Sequence, residues 1–233
     1  MTTCKKCGTC CTKGGPALHK EDLSKVQSGV ICISQLFTIR AKEPVWDNVL
    51  GVMSTAGTDV VKIKGTKNSP LCSYYDGKAP ACRIYGNRPA ECRALKCWDT
   101  AAVEEMYAKN RLTRRDILAA AESLCDLIDA HQQYCDYDNI NRLCHGIVQQ
   151  NDWTGGAELT KIIRYDENMR QLVIKQAGIS VDILDFLFGR PVAATLRMFS
   201  LELRNSGRHL QFRRLPGTRP AGRSAPLIRA GEE

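Results

Sequence analysis

The sequence lacks what most membrane, secreted and enzyme classes require. No apolar run is long enough to span a bilayer. The opening residues, MTTCKKCGTCC, hold neither the charged region nor the apolar stretch of an export signal. No Ser–His–Asp arrangement, phosphate loop, paired-carboxylate motif or G-x-G-x-x-G can be read, and no segment repeats. Aromatic residues make up only 6% of the chain, and no stacking pattern accompanies its basic C-terminal stretch. Without export the expected setting is cytoplasmic and reducing, which disfavours a stable disulfide net.

Cysteine, in contrast, is abundant. Twelve occur in 233 residues, although the 43% apolar content is ordinary and the chain is long enough to bury a core unaided. Cys4, Cys7, Cys10 and Cys11 crowd the N-terminus, and Cys72, Cys82, Cys92 and Cys97 form a second group. In a reducing setting these eight read as metal ligands. The formal charge of +8 agrees with that reading once it is divided. Seven arginines and no acids lie between Arg204 and Gly231 and carry most of the excess. Eight thiolates with two divalent centres would leave about −4, which Lys5, Lys6, Lys13, Arg83, Arg88, Arg93 and Lys96 stand near enough in sequence to offset. Nucleic acid is therefore weakly supported as a partner.

Spacing narrows the metal. Cys4, Cys7 and Cys10 form a C-x2-C-x2-C run, and Gly8 eases the turn it needs. Such a run resembles the one that supplies three corners of a 4Fe–4S cluster in bacterial ferredoxins. Structural zinc more often takes ligands in two pairs, and the C-x9-C-x9-C-x4-C second group is no standard zinc ribbon. The spacing tilts towards iron–sulfur and leaves zinc open. If the segment is extended, neighbours Cys10 and Cys11 point opposite ways, towards two centres or one multinuclear cluster.

The N-terminal C-x-x-C-G-x-C-C, followed by Cys82-Arg83-Ile84-Tyr85-Gly86-Asn87-Arg88-Pro89-Ala90-Glu91-Cys92-Arg93-Ala94-Leu95-Lys96-Cys97, resembles the YkgJ-like cysteine-cluster family. The resemblance covers residues 4–98 and implies a zinc- or iron-chelating CxxCxxCC domain. Related clusters occur in flagellin lysine methylases, but this chain has no adenosyl-group signature to go with them. Arg88 and Arg93 are candidate cofactor-binding residues, expected to neutralise thiolates or donate to sulfur, while Pro89 fixes a turn and Tyr85 packs beside Cys82. Cys32 and Cys125 read as core, and His19 and His131 as surface groups. Cys135, Cys144 and His145 form a weaker third metal candidate.

The expected fold is α+β. Its N-terminal half is irregular, cysteine-rich and metal-binding, with short strands at 36–40, 49–53, 60–64 and 83–85 and turns at Pro44 and Gly57. A short helix should begin near Leu18. The C-terminal half reads as helical over 101–110, 113–128 (with Thr113 and Asp116 as a near capping box), 139–150, 157–177 (stopped by Gly178) and 181–188 (capped by Ser180). A hairpin should follow over 196–212, turned at Asn205–Gly207. The expected units are 1–98, 99–215 and a disordered tail from 216 to 233. A metal-binding protein with a cysteine-ligated iron–sulfur cluster or zinc, transferring electrons to a redox partner or assisting an oxidoreductase or modifying enzyme, is the function read. A structural-zinc interaction or nucleic-acid module is the alternative, and no enzyme class can be assigned.

Overall fold

A computed structural model describes residues 4, 6–67, 69–77, 81–206 and 209–216, and in it the chain is a mixed α+β protein. The short helix near Leu18 is α1, Leu23–Gln27, led in by a 3-10 turn over Lys20–Asp22. Next come four strands of one bent hairpin: β1 Leu36–Ile39, β2 Pro44–Asp47, β3 Val52–Thr55 and β4 Val60–Ile63. β1 pairs β4 antiparallel, with Leu36 opposite Ile63, and β2 pairs β3, with Pro44 opposite Thr55. The bend between the two arms holds Lys42 at φ 64°, with its N–H bonded to Ala56 O at 2.7 Å.

Two of the strand expectations need correction here. Pro44 opens a strand instead of turning the chain, a position where a strand tolerates proline because no ladder N–H is required of it. Val49–Gly51 is the turn, not a strand. Asp47 Oδ1 accepts from the Val49 and Leu50 N–H groups, and Gly51 adopts φ 67°.

The predicted strand at 83–85 lies two residues early, as β6 Ala81–Cys82 paired with β5 Tyr75–Asp76, and Tyr85–Asn87 is a 3-10 turn. Helices α2 Ala90–Ala94 and α3 Ala101–Met106 follow. The Thr113–Asp116 capping box forms and starts α4, Arg114–Ile117. The apolar periodicity expected to run on from there is broken after Leu118 and resumes in α5, Glu122–Tyr134. The break lets both Leu118 and Cys125 reach one core.

α6 Tyr137–Gln149 is capped by Asp136, and α7 Gly156–Ala177, about 33 Å long at 1.5 Å per residue, ends at Gly178 with φ 63°. Ser180 caps a 3-10 turn that leads into α8, Leu184–Phe188. The hairpin starts later than expected. Pro191 leads α9 Val192–Thr195, Leu196–Phe199 is a 3-10 turn, and only then do β7 Leu201–Ser206 and β8 His209–Arg214 pair. Gly207 of the predicted turn, and the predicted tail beyond Pro216, lie outside the described residues.

Two clusters make the core. The first joins Leu18, Ile31, Leu36 and Ile63 to Leu112, Ile128 and Phe186–Phe188, so residues from both halves of the chain are buried together. Each such side chain contributes about 1.5–3 kcal/mol. The second packs α6, α7, α9 and β7 around Ile140, Ile147, Leu159 and Ile163. Polar links fasten α8 to the hairpin. Thr38 Oγ1 donates to Phe186 O at 2.7 Å, and buried Arg114 bridges Asp59 (Nε to Oδ2, 2.8 Å) and Leu187 O.

Candidate metal centre

The first cysteine segment is wound tightly. Lys6 and Gly8 take φ 57° and 75°, Cys10 is helical, and Cys11–Lys13 forms a 3-10 turn closed by Lys13 N–H to Cys10 O at 3.2 Å, with Thr12 N–H donating to Gly8 O at 3.1 Å. Cys10 and Cys11 therefore sit on a turn and not on the extended segment expected. Their side chains diverge by roughly 100–120°, the angle per residue of helical winding. The Lys6 N–H donates to Cys4 Sγ at 3.4 Å, and Cys7 Sγ lies 3.3 Å from Thr9 Oγ1. Gly8 is required twice over, because its φ is left-handed and a Cβ there would overlap the Tyr75 hydroxyl.

The second segment folds back onto the first. The Cys72 N–H donates to Cys11 O at 2.8 Å, and Tyr75 N–H to Cys72 O at 2.9 Å, with Tyr75 opposite Cys82 in the β5–β6 pair. Cys92 rides on α2, and Cys97 sits in the turn closed by Asp99 N–H to Lys96 O. α2 is pinned from below. Buried Asp22 accepts from its Ala90 N–H at 3.1 Å, and Glu91 accepts from Ala17 N–H at 2.8 Å.

Together the two segments enclose a cavity of about 60 Å³. That is several times the roughly 10–15 Å³ one water needs on the same measure. Cys4, Cys10, Cys11, Cys72, Cys82, Cys92 and Cys97 line it, along with Tyr74, Tyr75, Tyr85, Ile84, Leu95 and Trp98. Cys7 is the one predicted ligand that does not line the cavity; it is exposed, with its sulfur beside Thr9 Oγ1. Among the described residues no three His, Cys, Asp or Glu side chains already form a closed single-ion cage; the sulfurs are distributed over the wall.

The sulfurs feel one another strongly. Burial pushes the Cys11 thiol up to about 12, reinforced by Cys10, Cys72 and Cys82. Burial also raises Cys92, followed by the influence of Cys72, Cys10, Cys11 and Cys82. Cys97 is raised by desolvation and then by Cys10, Cys7 and Cys4. Only the Cys7 thiol is shifted down, by hydrogen bonds from the Thr9 side chain and backbone. Crowded thiols of this kind resist ionisation until a cation supplies the opposing charge. Among the described residues the wall contains no carboxylate and no imidazole. An all-sulfur donor set is soft and suits zinc or iron–sulfur, whereas calcium and magnesium want oxygen. The residues present fit the group.

Residues 3–125 match the family described as "CxxCxxCC: Putative zinc- or iron-chelating domain". The chain belongs to this family. The match covers just over half of the chain and extends past the motifs to Cys125, taking in α3, α4 and the first turn of α5. Neither the curated proteins nor the solved structures include a match. No helix among the described residues is long and apolar enough to cross a membrane.

The remaining candidates of this CxxCxxCC protein divide clearly. Arg88 lines the cavity, but its guanidinium stacks 3.8 Å from the Tyr85 ring and donates to Tyr85 O at 3.0 Å. Lys6 Nζ stands 4.4 Å from the centroid of that same ring. Arg93 turns away, donating to Arg88 O and pairing with Glu21 at 3.2 Å. Lys5 lies outside the described residues. All twelve cysteines are free.

Cys125 is core as expected, but Cys32 is exposed and its thiol donates to Gly29 O. Cys135 and Cys144 are buried in the second core while His145 faces solvent, so the third metal candidate does not assemble. His19 and His131, expected at the surface, are both buried in ion networks. The sequence reading also missed Asp22, Glu91 and Trp98. Glu91 directly precedes Cys92 and Trp98 directly follows Cys97, and those adjacencies were the available signal.

Proposed function

We propose that this protein exercises its family's metal chelation through an iron–sulfur cluster held in the cysteine cavity, and that it passes electrons to or from a partner oxidoreductase or modifying enzyme in the reducing cytoplasm. The observation that carries this reading is the convergence of seven cysteines on one cavity whose described wall offers no carboxylate or imidazole. A cluster bound there would supply one-electron chemistry. The chain's part is to hold it and tune its surroundings. Tyr74, Tyr75, Ile84 and Leu95 keep water from the sulfurs, which favours the less charged oxidation level. Lys6 and Arg88, both seated on Tyr85, offset thiolate charge from one side. Cys97 and half-exposed Trp98 form the open edge, where a redox partner would approach.

A structural zinc is the second reading, favoured by the way the Cys72–Cys11 backbone bond ties the two cysteine segments together. It would leave an interaction or nucleic-acid module without catalysis. Preparation of the protein without oxygen separates the two. Iron and acid-labile sulfide in equal amounts, with a visible band that bleaches on reduction, is the expected result. A colourless protein holding zinc and no sulfide would replace the redox reading with the structural one.

A further inference from the structure

We propose that the β7–β8 hairpin is a docking ribbon for single-stranded nucleic acid, whose phosphates meet its arginines and one of whose bases stacks on Trp153. This surface lies outside the cysteine cavity and serves with either occupant of it.

Strand pairing sorts the hairpin into two faces. Directly opposite residues share a face, so Leu203 and Phe212 form one side, packed on the second core. Glu202 with Arg213, and Arg204 with Gln211, form the other. That side meets solvent, with Arg204, Gln211 and Arg213 exposed. Its carboxylate is already engaged. Glu202 holds Arg204 Nε on one oxygen at 3.1 Å and Arg197 Nη2 on the other at 3.8 Å. Three arginines thus stand against one glutamate. The sequence extends the excess, since seven arginines and no acid lie between Glu202 and Glu232.

A basic face alone is often only solvated, and the aromatic beside it decides the reading. Trp153, in the loop between α6 and α7, is nearly half exposed. Arg214, which ends β8, sets its guanidinium 5.6 Å from the indole centroid. Asn151 Oδ1 fixes both groups, accepting from Trp153 Nε1 at 3.2 Å and from Arg214 Nη2 at 2.9 Å. The fold therefore brings to the basic strand a stacking group that its own stretch of sequence does not contain.

Chemistry selects the partner. Guanidinium forks match phosphate oxygens two at a time. An aromatic beside a basic track holds an unpaired base through its π-face, without sequence preference. A duplex keeps its bases stacked on one another and offers none to Trp153. An anionic membrane would call for apolar side chains that enter it, whereas Leu201, Leu203 and Phe212 are committed to the core.

Fluorescence anisotropy on the full chain, with a labelled single-stranded oligonucleotide of mixed sequence, tests the proposal. Binding should weaken linearly with salt on a log–log plot. Arg204→Gln and Arg213→Gln should each make that slope shallower by about 0.7. Trp153→Ala should weaken binding about tenfold and leave the slope unchanged. Both arginines are exposed, so metal content and circular dichroism should stay as in wild type. Absence of binding by the wild type, or wild-type affinity and slope in the Arg204→Gln/Arg213→Gln double variant, would overturn the proposal. Tighter binding to the matching duplex, or to phosphatidylserine vesicles in place of the oligonucleotide, would overturn it as well. None of these results bears on the metal reading, which the metal and sulfide assay decides separately.

Discussion

His19 Nε2 stands 3.3 Å from Glu91 Oε1, and both groups are largely out of solvent. Glu91 also accepts from Ala17 N–H, so one carboxylate fastens the residues after the first cysteine segment to the helix that carries Cys92. Glu91→Ala would leave a buried histidine and an N–H without their partner. We expect a loss of about 1.5–3 kcal/mol on urea denaturation, with faster metal release than in wild type. A change within 0.5 kcal/mol would show that the anchor is redundant.

The same pair gives a pH dependence. The Glu91 hydrogen bond holds His19 above the ordinary histidine value, against the opposing effect of burial. Its stabilisation is complete below that ordinary value, about 6.5, and is lost as pH rises through the raised folded value. Stability measured from pH 6 upward should decline, and Glu91→Gln should flatten that decline.

His131 should behave in the opposite sense. Burial lowers its pKa, although Nε2 lies 2.8 Å from Asp166 Oδ1, so the folded protein holds it neutral. Burial alone would raise the Asp166 carboxyl, but His131, Arg170 and the Val192 N–H keep it below the usual range. The His131 contribution is whole above about 6.5 and is lost as pH falls from there through the depressed folded value. His131→Gln should shrink the acid-side loss while lowering stability at pH 7.5 by about 1–3 kcal/mol. An unchanged acid limb would assign that loss to other groups.

Gly8→Ala sets a side chain at φ 75° against the Tyr75 hydroxyl. The left-handed conformation alone costs about 1 kcal/mol, and Tyr75 must move as well. Since Tyr75 lies between Cys72 and Cys82, the variant should bind zinc at least tenfold more weakly with the rest of the fold intact by circular dichroism. Wild-type affinity would mean that the first segment is not packed on β5.

Cys125→Ser should retain all bound metal. Cys125 sits in the first core with its thiol towards Leu118 O, away from the cavity wall, and the change should cost about 1 kcal/mol. Loss of metal would make it a ligand.

The cysteine groups could be read from the sequence because ligand spacing is a local property. The caps at Thr113, Ser180 and Gly178 were legible for the same reason, each depending on residues within a turn. Pro44 was misread because strand edges are defined by a partner far along the chain, here Thr55. The helix break after Leu118 is likewise imposed by the core, against a run of alanines that locally favours helix. His19 and His131 looked like surface groups because nothing near them in sequence supplies their acidic partners, which lie 72 and 35 residues away. Cys32 misled in the other direction, as an apolar VICIS context did not bury it.

X-ray absorption at the metal edge, on protein prepared without oxygen, tests the central claim most directly. A first shell of four sulfurs and nothing lighter is predicted, at about 2.3 Å. Iron–iron scattering should accompany that shell if the occupant is a cluster. Oxygen or nitrogen in the first shell, or protein that carries no metal, would contradict a centre built on these cysteines.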